Sequence, residues 1–257
     1  MKKHIPNAIT LCNLICGCIA VRYAFADKYL AALIFIVAGA VFDFFDGFVA
    51  RKLKVSSPVG VELDSLADVI TFGFAPTSMV FTLITSYIHG YAHEAGFLVS
   101  ESWIKYINAI SFIIAAFSAL RLAKFNVDTR QTTSFIGLPT PANALLVASA
   151  VITLATHPHW LTTLSAGNVS PNLLGIIALA TLSIVSAILL VCELPLFALK
   201  FKDFGWANNS TRYIFLISSA LLLATMALQS LSRFIIAIGI VIVWYVILST
   251  ITHKQSK

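Results

Sequence analysis

Long apolar runs alternate with short polar breaks along the whole chain. Runs near the ~20-residue length that crosses a bilayer occur at 8–25, 30–52, 62–88, 104–124, 140–157, 172–197, 213–229 and 232–251. This pattern predicts an all-α, polytopic membrane helical bundle of about eight transmembrane helices. Some runs contain Gly, Pro or polar residues, which spans tolerate when neighbours re-satisfy the backbone. The last two runs are parted only by a turn around Gln229 to Arg233 and read as a helical hairpin. Ser57 is a good N-cap and Pro58 suits a first helical position, so the third helix is expected to begin near Pro58. No internal repeat is evident, nor the inverted halves common in transporters.

Composition agrees with burial in lipid. The 257 residues are 59% hydrophobic and 11% charged, against about 45–50% and about 25% in soluble domains. The net charge of +6 is a topology signal. Thirteen of the 17 basic residues (Lys2, Lys3, Arg51, Lys52, Lys54, Arg121, Lys124, Arg130, Lys200, Lys202, Arg212, Lys254, Lys257) fall on one side of the predicted spans. Arg22, Lys28, Lys105 and Arg233 fall on the other. By the positive-inside rule both termini are expected in the cytoplasm, with the loops at 89–102 and 158–171 outside. No nucleic-acid partner is expected. Cys12, Cys16, Cys18 and Cys192 lie in apolar runs without metal-ligand spacing and read as small buried hydrophobes. The Lys2-Lys3 start followed by an apolar run resembles a signal peptide, but no clear cleavage site follows, so a retained helix is expected.

The chemistry concentrates between Asp43 and Asp68. A carboxylate near the bilayer centre costs about 2.5–3.5 kcal/mol on insertion scales, and this stretch holds Asp43, Asp46, Asp64 and Asp68. Residues three or four apart share a helix face, which places Asp43, Asp46, Gly47 and Ala50 on one stripe and Gly60, Asp64 and Asp68 on another. At ~1.5 Å per residue, Asp43 lies roughly 16 Å from Lys54 and Asp68 roughly 15 Å from Pro58. In an antiparallel hairpin the carboxylates meet at similar depth, below the cytoplasmic surface. Converging carboxylates repel one another unless cations neutralise them. An all-oxygen set suits Mg²⁺, Mn²⁺ or Ca²⁺ better than zinc, and two such ions would clamp phosphoryl oxygens. Gly47, Ala50 and Gly60 remove bulk beside the carboxylates. The rival readings are an ion or proton relay for the acids and helix packing for the glycines. His89 and His93 have metal-like spacing, but Gly90 is expected to break the helix there.

The string Asp43-x2-Asp46-Gly47-x2-Ala50-Arg51-x8-Gly60-x3-Asp64-x3-Asp68 resembles, without departure, the signature of the CDP-alcohol phosphotransferase family. Further segments resemble its phosphatidylserine synthase branch: Ile5 to Thr10, Leu63 to Asp68 running into Phe72 to Pro76, Arg121 to Asn126, and Phe135 to Pro141. The resemblance covers roughly residues 5–145. It implies a six-helix catalytic core (1–197), with 198–257 as a two-helix extension of the same membrane domain. It also implies metal-dependent transfer of a phosphatidyl group from CDP-diacylglycerol to L-serine, releasing CMP, in the cytoplasmic (inner) membrane with the site facing the cytoplasm. Other acceptors in the family are glycerol phosphate, inositol phosphate and choline.

Carried onto this sequence, the resemblance makes Asp43, Asp46, Asp64 and Asp68 ligands of two ions, Mg²⁺ or Mn²⁺, and Asp68 the base for the serine hydroxyl. Gly47, Ala50, Arg51 and Gly60, with Asn7 and Thr10, would receive the CDP-lipid. Arg121, Lys124 and Asn126 would meet serine or phosphate, against a plain anchoring role for the two cations. The partners implied are these substrates and membrane lipid, and a homodimer is a compatible assembly.

Overall fold

The computed structural model describes residues 4–55, 57–99, 103–127, 135–165, 167, 169–197 and 205–255. Lys2, Lys3, Arg130, Lys200, Lys202 and Lys257 lie outside the described residues. The chain forms α1 (His4–Ala24), α2 (Tyr29–Leu53), α3 (Pro58–Asp68), α4 (Ala75–Ala95), α5 (Phe112–Val127), α6 (Thr140–Thr156), α7 (His159–Ser165), α8 (Pro171–Val191), α9 (Trp206–Ala227) and α10 (Leu231–Gln255). A π-turn (Val69–Phe74) joins α3 to α4, and a 3₁₀ segment (Trp103–Ser111) leads into α5. Two short strands, β1 (Phe135–Ile136) and β2 (Pro195–Leu196), pair antiparallel.

Among the described residues, seven helices are long and apolar enough to cross a membrane, or up to eight if α6 and α7, bent by 80°, count as one span. The protein is a multi-pass membrane bundle. Its outward faces carry Phe44, Phe45, Phe48, Ile177, Ile217 and Leu221, all exposed. That is the arrangement expected when the surrounding medium is hydrocarbon.

The most enclosed span is the 38-residue stretch Pro58–Ala95. Local chemistry explains its start. The Ser57 side chain accepts the Gly60 N–H at 3.0 Å and Pro58 occupies the first turn. Just before it, Lys54 turns left-handed (φ 53°) and returns its N–H to the carbonyls of Ala50 and Arg51, ending α2. Within α4, Thr77, Ser78, Thr82, Thr85 and Ser86 return their hydroxyls to carbonyls four residues earlier. Such back-bonding satisfies polar groups where no water is available. From this span Phe72, Met79 and Ile84 join Ile36, Ile114 and Val147 in the core, all fully buried.

Two sequence expectations need correction. Gly90 does not break a helix, since α4 runs unbroken through His89 and His93 to Ala95. A Cβ at Gly90 would lie 2.7 Å from Asn172 Oδ1, so the glycine admits α8 to close packing. Asn172 in turn donates to Glu94 Oε1 at 2.6 Å. The cysteines are also not uniformly buried: Cys16 is, Cys12 and Cys192 are half-buried, and Cys18 is exposed. A small apolar thiol is as comfortable in lipid as in a core.

Behind the family-like segment Phe135 to Pro141, Gly137 adopts φ +75°, and a Cβ there would meet Leu190 O at 2.6 Å. Its N–H donates to Leu194 O at 3.0 Å, and that of Leu138 to Leu189 O at 2.8 Å. The entry to α6 is thereby sewn to the end of α8. The final hairpin continues the lacing: α10 crosses α6 at Gly239, where a Cβ would lie 2.6 Å from Ser149 Oγ. Tyr245 OH donates to Phe197 O at 2.8 Å.

Candidate functional site

α2 ends at the left-handed Lys54, α3 begins at Pro58, and α1 packs against both. This brings Asp43 of α2 and Asp64 and Asp68 of α3 together. Each offers a carboxylate oxygen within 4.8 Å of the others. Among the described residues this is the one cluster of His, Cys, Asp or Glu close enough to hold a metal ion. Asp64 Oδ1 is buried with no protein partner. A buried carboxylate oxygen without a donor, beside two further carboxylates, is an incomplete set that a cation would complete.

Asp46 shares the face of Asp43 but is engaged differently. It is 6% exposed, and its Oδ2 accepts the Thr10 hydroxyl at 2.5 Å. It lies outside the group of three and lines an adjoining cavity of about 140 Å³ with Pro6, Asn7, Thr10, Gly47, Ala50, Val55, Ser57, Gly60 and Asp64. The volume is several times the ~30 Å³ share of a water. The cavity's shape depends on its small residues. A Cβ at Gly60 would sit 3.1 Å from both Asn7 Oδ1 and Ser57 Oγ, and one at Gly47 would lie 3.2 Å from Arg51 Nη1. Arg51 is exposed and folds back over Gly47 at the cavity rim. The eight positions singled out in the sequence therefore divide into an acidic triangle and a neighbouring hollow, with Asp46 and Asp64 on the wall between them.

The three α5 residues separate. Arg121 is 8% exposed, lies within electrostatic reach of Asp68, sits over the Phe125 ring at 5.8 Å, and keeps a buried Nε without a partner. A guanidinium whose only purpose was anchoring would reach for headgroups and water, so the burial of Arg121 speaks against that reading. Lys124 is exposed and fits it. Asn126 is exposed and donates to Ser65 Oγ at 2.8 Å.

Sequence reasoning missed Asn13. It is fully buried in the middle of α1 and donates from Nδ2 to Asp68 Oδ1 at 3.1 Å. A signal was present: Asn13 falls three residues after Thr10 and so on the same helix face. An amide inside a span also calls for a named partner.

The site bears comparison with known proteins. The CDP-alcohol phosphatidyltransferase family matches over residues 3–182. A CDP-diacylglycerol–serine O-phosphatidyltransferase from Helicobacter pylori strain J99 is 32% identical over 256 residues, covering 98% of this chain and 95% of that protein. A protein of the same name from Bacillus subtilis strain 168 is 36% identical over 139 residues, 54% of this chain and 70% of its own length. One from Methanocaldococcus jannaschii is 35% identical over 143 residues, 56% and 58% of the two chains.

Proposed function

The chain belongs to the CDP-alcohol phosphatidyltransferase family, and from that membership we propose that it transfers the phosphatidyl group of CDP-diacylglycerol to the hydroxyl of L-serine. The products are phosphatidylserine and CMP. Supporting the choice of acceptor is the near full-length similarity to a protein named for that reaction.

The donor set fits Mg²⁺ or Mn²⁺: oxygen only, with one buried oxygen unpartnered. Asp43, Asp64 and Asp68 would hold such ions, with Asp46 on the cavity side. Bound there, they would neutralise charge on the diphosphate and on the departing CMP. The chain's own groups do the rest. Gly47, Ala50 and Gly60 keep open the hollow that admits the nucleotide end of the lipid, beside Asn7, Thr10 and Arg51. Asp68 accepts the proton of the serine hydroxyl. The hydroxyl oxygen forms a bond to the lipid-side phosphorus as the bond from that phosphorus to the CMP oxygen breaks. Arg121, buried beside Asp68, pairs with the carboxylate of serine. Lys124 and Asn126, at the exposed end of α5, line the approach. The catalytic core lies within 1–197, and α9 and α10 form an added hairpin. The basic excess beside Asp43 to Asp68 supports a cytoplasmic-membrane enzyme with both termini and the site on the cytoplasmic side.

The test is an alcohol panel. Purified protein with CDP-diacylglycerol and Mn²⁺ or Mg²⁺ is offered serine, glycerol phosphate, inositol phosphate and choline, with CMP release and labelled lipid as readouts. CMP release with serine alone is expected. Release with another alcohol and none with serine would overturn the acceptor. Arg121→Gln should raise the serine KM by about tenfold or more, since a hydrogen bond to a charged group contributes ~1.5–3 kcal/mol. The KM for CDP-diacylglycerol should stay within about twofold, because Arg121 is not among the residues lining the hollow. An unchanged serine KM would remove Arg121 from the acceptor site.

A further inference from the structure

We propose that Asn13 is a positioning residue for the reaction, holding the Asp68 carboxylate in the one orientation that faces Asp43 and Asp64. This rests on the role of Asp68 given above and names the residue that sets its geometry.

Two hydrogen bonds and one close helix approach carry the inference. Asn13 Nδ2 donates to Asp68 Oδ1 at 3.1 Å, and both residues are buried. The carbonyl of Asn13 accepts the Thr71 hydroxyl at 3.0 Å. Thr71 lies one turn beyond Asp68, within the π-turn. One residue of α1 thus holds the carboxylate through its amide and, through its carbonyl, the Thr71 side chain one turn further on. On the other side α2 closes the space. A Cβ at Gly39 would lie 2.8 Å from Asn13 Oδ1 and 2.5 Å from Thr71 Cγ2, and one at Gly17 would lie 2.4 Å from Thr71 Oγ1. The α2 backbone thus lies close against the amide, whose Oδ1 has no partner, so its one side-chain hydrogen bond is the one to Asp68.

Asn13 is also set apart from its helix neighbours. Pro6, Asn7 and Thr10 line the hollow, whereas Asn13 does not. Contact with the nucleotide end of the lipid in that hollow therefore does not explain it. A buried amide within a span is costly unless its hydrogen bond repays it, and the bond it makes is to Asp68. Groups that orient a ligating carboxylate typically change metal affinity or activity by about 10–100-fold when removed.

The experiment compares Asn13→Leu, similar in size and lacking the donor, with Asn13→Ser, which keeps a shorter donor. Mn²⁺ binding to the purified protein is read by electron paramagnetic resonance, alongside kcat and both KM values. Asn13→Leu is expected to lose about 10–100-fold in Mn²⁺ affinity, kcat or both, with both KM values within about twofold, and Asn13→Ser to recover part of the loss. Mn²⁺ affinity and kcat both within about twofold of the parent in Asn13→Leu would overturn the proposal. So would a loss shared evenly by kcat, KM and melting temperature in both variants, because that is general loosening of the bundle. If Asn13→Leu does not fold, Thr71→Val removes the grip on Asn13 without touching a polar group of Asp68. A fall in kcat or Mn²⁺ affinity is then expected, and no change in either is the contrary result. Parent protein that binds Mn²⁺ and releases CMP while the variants match it sinks the Asn13 role alone. Parent protein that does neither sinks the functional reading beneath it.

Discussion

Asp68→Asn should reduce turnover by about 10²–10⁴-fold, the range for loss of a general base, while the protein remains folded in the membrane. The substitution preserves shape. The new side-chain oxygen can still accept from Asn13, so the contact that ties α3 to α1 at 3.1 Å survives. What disappears is an oxygen able to take a proton and one anionic donor of the group of three. The assay is CMP release with saturating serine and CDP-diacylglycerol, alongside a melting curve. Near-normal turnover would remove Asp68 from the chemistry, and a collapsed melting curve would assign it to folding.

Chelation should be as severe. Stripping divalent ions with EDTA is expected to lower CMP release by about 10³-fold or more, since charge neutralisation on transferring phosphoryl groups supplies several kcal/mol. Mg²⁺ or Mn²⁺ added back should restore it. The expectation rests on three carboxylates with oxygens within 4.8 Å of one another, one of them carrying a buried oxygen with no protein donor. Activity that survives thorough chelation would leave the acidic group as a proton-binding site. Ion flux in liposomes without nucleotide, and no CMP, would then favour a transporter.

The candidate site was legible in sequence to different depths. Spacing of three and four residues put Asp43 and Asp46 on one stripe and Asp64 and Asp68 on another because helix geometry is local. It did not show that Asp46 turns towards Thr10 while Asp43 joins Asp64 and Asp68. That depends on which side of α2 faces α1. Arg121 and Lys124 sit three residues apart on one helix and look alike in sequence. One is buried beside Asp68 and the other exposed, because α5 presents them to different neighbours. Gly90 was misread for a similar reason. Glycine weakens an isolated helix, yet here the missing side chain admits Asn172 and the packing gained outweighs the local preference.

The helices and their approximate ends follow from the chain alone. Hydrocarbon leaves a buried backbone little choice but to bond within its own helix, and apolar length, Ser57-Pro58 and the basic clusters then mark where each span starts and stops. The orientation of individual carboxylates does not follow. A hydrogen bond such as Asn13 to Asp68 joins residues 55 positions apart, and it exists only after α1, α2 and the π-turn have closed around Gly17 and Gly39. Short-range periodicity carries no record of that closure, because it depends on how surfaces from distant segments fit together.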